Sequence, residues 1–83
     1  MRKKEMNQPV HEFEDSAFVA FLVLRGHQYI PVMKQNGRVA FEVAGDITGD
    51  VEAYYLNHPV GVREYGQVLK SIRSSIFNMK SMR

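Results

Sequence analysis

The stretch His27-Gln28-Tyr29-Ile30-Pro31-Val32-Met33-Lys34-Gln35-Asn36-Gly37-Arg38-Val39-Ala40-Phe41-Glu42-Val43-Ala44 decides the fold. Two short apolar runs flank Asn36-Gly37, and Asn-Gly between such runs is the strongest short-range signal for a β-hairpin. A two-residue type I′ turn needs positive φ at both central positions, which Asn tolerates and Gly adopts freely. With these two at the tip, Val39 faces Lys34, Phe41 faces Val32 and Val43 faces Ile30, while Arg38, Ala40 and Glu42 face Gln35, Met33 and Pro31. The expectation is one apolar face carrying Ile30, Val32, Val39, Phe41 and Val43, and one mixed face. Pro31 leaves the turn type open. A two-residue loop puts it at a hydrogen-bonded pair, where its missing N–H costs a ladder bond, whereas a four-residue loop from Gln35 to Arg38 keeps the same faces and moves it to a non-bonded pair.

A lone hairpin is marginal in water, so the rest of the chain must cover its apolar face. Asp15-Ser16 offers an N-cap, Ala17 to Leu24 is apolar nearly all round, and Arg25-Gly26 supplies a basic last turn with a glycine after it. These signals predict a buried helix over 16–25 lying on the hairpin. Val10 to Glu14 alternates, with His11 and Phe13 on one side, and reads as a short third strand. After the loop Gly45 to Asp50, which ends in a capping threonine, a short helix is expected from about Asp50 to Leu56 with Val51, Tyr54 and Tyr55 inward, stopped by Asn57-His58-Pro59. Val62, Tyr65, Leu69, Ile72, Ile76 and Met79 then repeat at spacings of three and four with Val68 beside them, which predicts a long helix over 62–79, roughly 27 Å. The fold class is α+β: a small antiparallel sheet of two or three strands, hairpin at about 28–44, covered by helices at 16–25 and 62–79. Residues 1–9 read as a flexible tail and 10–83 as a single domain.

At 83 residues the chain buries only about 60–65% of the surface it exposes when unfolded. It has no cysteine, which removes disulfides, thiolate nucleophiles and thiolate metal sites. The longest apolar run is too short to span a bilayer, and Glu12, Glu14 and Asp15 before it are wrong for a secretory signal. The chain therefore reads as soluble and cytoplasmic, with no membrane partner. Net charge is +2, but residues 60–83 alone carry five basic and one acidic side chains.

Asp15 followed by Ala17, Ala20-Phe21-Leu22 and Gly26, a hairpin ending in Arg38-Val39-Ala40-Phe41-Glu42-Val43, then Tyr55-Leu56-Asn57 and Tyr65, Leu69-Lys70-Ser71-Ile72-Arg73 together resemble a family of short uncharacterised bacterial and phage-borne proteins. The resemblance covers roughly residues 11–77. It implies the element order strand, helix, strand, strand, helix, helix, and it implies no activity and no catalytic residue. Pro31 departs from the purely apolar second strand that the resemblance would imply.

Catalytic and metal chemistry find little support. His11, His27 and His58 sit in three separate segments without i,i+4 spacing, and a zinc-type site would need at least three converging ligands, which without cysteine would have to be these scattered histidines with Glu12, Glu14 or Asp46. Asp46 and Asp50 lack the calcium-loop spacing and read as turn and first-turn dipole residues. No phosphate-binding glycine loop or nucleophile motif is present, and the serines at 71, 74, 75 and 81 fall on the solvent side of a helix. Neither an enzyme nor a cofactor is expected.

Two binding surfaces are. The strand Gly37 to Val43 faintly echoes the aromatic strand of an RNA-recognition motif, but Phe41 shares a face with core residues and no fourth strand is visible, so that reading fails. On the last helix Arg63, Lys70, Arg73 and Lys80 fall within an arc of roughly 100° beside the apolar seam, with Gly66 and Phe77 in the same stripe. Such a ridge suits phosphates. Phe77, Met79 and Met82 are the alternative, a protein interface or a dimer contact, since methionine packs adaptably and a small core gains from a second copy. Phe77 packing on the N-terminal segment is the third reading.

Overall fold

A computed structural model describes residues 9–81 and has the element order β1 (Val10–Phe13), α1 (Ser16–Leu24), β2 (Tyr29–Met33), β3 (Val39–Ala44), α2 (Thr48–Tyr55) and α3 (Val62–Ser81). The sheet is antiparallel, with β3 in the middle and the order β1-β3-β2. Because α1 joins β1 to β2 and β3 lies between them, the first half of the chain is a split β-α-β unit. The architecture is α+β, with the third strand present at Val10–Phe13.

The hairpin turn differs from the expected one, and the difference turns β2 over. Lys34 N–H donates to Arg38 O at 2.8 Å, Gly37 N–H to Lys34 O at 3.0 Å, and Gly37 has φ of 84°. Asn57 is the one non-glycine residue with positive φ among the described residues, so Asn36 stays out of the left-handed region. Its Oδ1 instead accepts the Arg38 N–H at 3.0 Å. The loop is thus three residues, Gln35-Asn36-Gly37, a type I turn closed by a left-handed glycine.

An odd loop length shifts the pairing by one residue relative to either even-length loop. Pro31 pairs with Phe41, Met33 with Val39 and Tyr29 with Val43. A one-residue slip exchanges the faces of a strand, so Tyr29, Pro31 and Met33 share the inner face with Val39, Phe41 and Val43. Ile30 and Val32, expected inward, point out, and Ile30 is 63% exposed. Pro31 loses nothing by this. Counting alternate pairs from the bonded Lys34–Arg38 end, it falls at a non-bonded pair, with its ring nitrogen toward the free edge of β2.

The helix ends follow backbone chemistry. Asp15 caps α1 by accepting the N–H groups of Ala17 at 3.0 Å and Phe18 at 3.4 Å. At the other end His27 N–H reaches back to Leu22 O and Gly26 N–H to Val23 O, with Gly26 at φ 102°, the double bond of a Schellman stop. α2 ends the same way, on Asn57 at φ 61°, with His58 N–H on Ala53 O and Asn57 N–H on Tyr54 O. α2 starts two residues earlier than expected, because Asp46 accepts the Thr48 N–H at 3.0 Å and makes Thr48 the first helical residue rather than the cap. That bond also holds the Asp46 carboxyl below the usual range.

The core lies between the inner sheet face and α1 and α3. Val19 and Ala20 of α1 meet Val39, Phe41 and Ile72, while Phe18 and Leu22 meet Val43 and Ile47. Five consecutive α1 residues, Phe18 to Leu22, are buried, as an all-round apolar helix requires. On α3 the inner seam is Tyr65, Val68, Leu69, Ile72, Ile76 and Met79, packed on this core. Val62, expected to begin it, is 88% exposed. Ser75 is half-buried, with its hydroxyl 3.3 Å from that of Tyr29 on β2, so it belongs to the packed side rather than to solvent. No helix among the described residues is long and apolar enough to cross a membrane.

Candidate functional site

The lysines and arginines divide into two populations. In the body of the fold each one sits on a carboxylate: Arg25 Nε is 2.7 Å from Asp50 Oδ1, Arg38 Nε is 2.7 Å from Glu14 Oε1, and Lys34 Nζ binds Glu12 Oε2. The hydrogen bond to Glu12 raises the Lys34 pKa. On α3 the pattern stops. Arg63, Lys70, Arg73 and Lys80 are all exposed, and none has a carboxylate within 4 Å among the described residues.

These four cations occupy one outer stripe of α3, with Gly66 and Phe77 between them. Gly66, Leu69, Lys70, Arg73, Ser74, Phe77 and Asn78 line an open groove along the helix. Phe77 is 71% exposed. A Cβ built on Gly66 meets nothing within 4 Å, so packing does not require a glycine there, although a helix-interior glycine costs about 1 kcal/mol relative to alanine. The backbone is therefore bare midway between Arg63 and Lys70. Of the expected interface residues, Phe77 is open, Met79 is half-buried against the core, and Met82 lies outside the described residues, as does the N-terminal segment before Pro9.

A second surface emerges from residues far apart in sequence. Phe21, Tyr54, Tyr55, Asn57, His58, Val60 and Tyr65 form a cup of about 410 Å³ where α1, α2 and α3 meet. Behind it runs a chain of edge-on rings: Phe13 to Phe18 at 5.0 Å, Phe18 to Tyr54 at 4.9 Å and Tyr54 to Tyr55 at 5.6 Å between centroids. Such pairs add roughly 0.5–1.5 kcal/mol each beyond area burial. Tyr55, expected inward, is 80% exposed, since only Val51 and Tyr54 of α2 pack on the core. The Tyr65 hydroxyl donates to Ala17 O at 2.9 Å, and burial pushes its pKa up.

Asp50 has more to do than first-turn dipole chemistry. Besides Arg25 it holds His27, whose Nε2 is 2.6 Å from Oδ2, and Arg25 Nη1 stands 3.4 Å from His58 Nε2. Burial raises the Asp50 pKa, but the hydrogen bonds and charges of Arg25 and His27 outweigh it and leave the carboxyl below its ordinary range. This network clamps the end of α1 to the start of α2. No group of three or more His, Asp or Glu among the described residues could hold a metal ion.

Comparison with family models, with curated proteins and with solved structures found no match.

Proposed function

We propose that the chain is a non-catalytic accessory module, of the bacterial or phage kind its sequence resembles, that contacts nucleic-acid phosphates through Arg63, Lys70, Arg73 and Lys80. The observation that carries this reading is the division of the cations. Surface helices are ordinarily charged, and basic residues favour helix C-termini for dipole reasons. Neither fact accounts for an arrangement in which, among the described residues, Arg25, Lys34 and Arg38 are each matched by a carboxylate and the four α3 cations are not. Unmatched cations on one stripe are available to phosphates, and each one neutralised releases condensed counterions. The bare backbone at Gly66 gives a phosphate chain room to approach, and Phe77 offers a ring beside it.

Binding of a labelled single strand, followed by anisotropy, is expected to fall with salt at a log–log slope of about −2 to −4. The Lys70→Gln/Arg73→Gln variant flattens that slope. Absence of binding at low salt to both single strands and duplex rejects the proposal.

A second reading draws on the exposure of Phe77: association with another copy or another protein around that ring. It predicts a concentration-dependent dimer in light scattering that Phe77→Ser weakens.

A further inference from the structure

We infer that the aromatic cup is a subsite for one unpaired nucleobase, belonging to a strand whose phosphates lie on α3. This inference rests on the phosphate reading and extends it from a sequence-blind ridge to a preference for single strands.

The cup is concave and assembled from three helices and the turn after α2, and at about 410 Å³ it falls in the range of small-ligand sites. Its walls are the rings of Phe21, Tyr54, Tyr55 and Tyr65. Tyr55 is both exposed and backed: 80% of its surface is open, yet Tyr54 meets it edge-on at 5.6 Å and is itself braced by Phe18 at 4.9 Å. A ring presented in this way offers a face on which a planar base can stack, and every base has such a face. Two polar edges complete the cup. Asn57 is fixed in the left-handed region by backbone bonds alone, and its side-chain amide, which makes no hydrogen bond among the described residues, carries both a donor and an acceptor, as the edge of a base requires. His58 also lines the cup, with its Nε2 3.4 Å from Arg25 Nη1.

Charge and continuity choose this occupant over an apolar peptide or a second copy. No carboxylate lines the cup. Tyr65 lines the cup and the next residue, Gly66, lines the groove that holds Lys70 and Arg73, so the two surfaces border each other on α3. A strand with one base in the cup is thereby brought beside Lys70 and Arg73, which make no ion pair among the described residues. Bases inside a duplex are already stacked and cannot enter.

The test compares a labelled twelve-residue oligothymidylate with an abasic strand of the same length, which keeps the phosphates and removes the bases. Wild type should bind the oligothymidylate tighter by roughly 5- to 150-fold. Tyr55→Ala, a change at an exposed position that loses one ring pair with Tyr54 and should lower the melting temperature by only a few degrees, leaving the protein folded, should bring the two affinities together without altering the salt slope. Equal affinity of wild type for both strands, with the slope intact, overturns the cup and leaves the ridge. A base preference that Tyr55→Ala removes, in a protein whose slope Lys70→Gln/Arg73→Gln does not change, keeps the cup and overturns the ridge. Failure to bind either strand overturns both, and a Tyr55→Ala variant that dissolves a dimer while keeping the base preference gives the corner to a second copy and overturns the inference.

Discussion

The inner and outer sides of α3 follow opposite rules. Inward, Ile72 is fully buried against Val19, Ala20, Val39 and Phe41, and throughout the body behind it each cation has its carboxylate. Outward, along the opposite side of the same helix, four cations lack an ion-pair partner among the described residues, Phe77 is open, and Gly66 weakens the helix where packing asks for nothing. A chain selected only to fold would have no reason to differ so much between the two sides. The difference teaches that the outer stripe is where stability has been left unoptimised, which is common at surfaces that meet something else.

The largest expected effect lies on the inner side. Phe41→Ala removes a fully buried ring and should cost about 3–5 kcal/mol, enough to leave so small a domain largely unfolded in a urea or thermal melt. Little loss would mean that the inner core is looser than its burial indicates and would break the contrast.

The Asp50 clamp comes next. Asp50→Asn should cost about 1–2 kcal/mol at pH 7, the worth of hydrogen bonds to a charged group discounted for partial exposure. Because Arg25 and His27 hold the folded carboxyl below its unfolded value, its contribution is present above the unfolded pKa near 3.9 and disappears as pH falls through the folded one. Melts of wild type and variant should therefore converge below about pH 4; a gap that stays constant down to pH 2 would assign the effect to packing rather than charge.

A smaller effect of opposite sign is expected on the outer stripe. Gly66→Ala should stabilise by about 0.5–1 kcal/mol, since the added methyl meets nothing and the helix gains propensity. Destabilisation would show that the fold itself needs the glycine.

Much of this architecture was legible in the chain. The Asp15 cap and Gly26 stop bound α1, the three-four spacing of Tyr65 to Met79 gives α3 its inner side, and alternation puts His11 and Phe13 on one side of β1, of which Phe13 packs on the core. The face of β2 was not legible, because Tyr29-Ile30-Pro31-Val32-Met33 is apolar throughout and offers no alternation from which to choose. Only the parity of the loop decides, and Asn-Gly points to two residues where the structure uses three. Pro31 was the usable clue, since it demands a non-bonded pair, but a four-residue loop satisfies that demand equally well. The ridge could be read because it lies on one helix. The cup and the Asp50 network could not, since their members come from positions as distant as Phe21 and Tyr65, or Arg25 and His58, and no local pattern links them.

The most direct test of the division between paired and unpaired cations removes the same charge from each population. Lys34→Gln/Arg38→Gln and Lys70→Gln/Arg73→Gln both subtract two positive charges, and each is titrated against the oligothymidylate strand across a salt series. The expected result is a slope reduced by about 1.4 in the α3 pair alone, two contacts at roughly 0.7 each for a single strand, with the body pair binding as wild type does. Equal losses in the two variants, or no loss in either, would contradict the assignment of α3 as the phosphate-contacting surface.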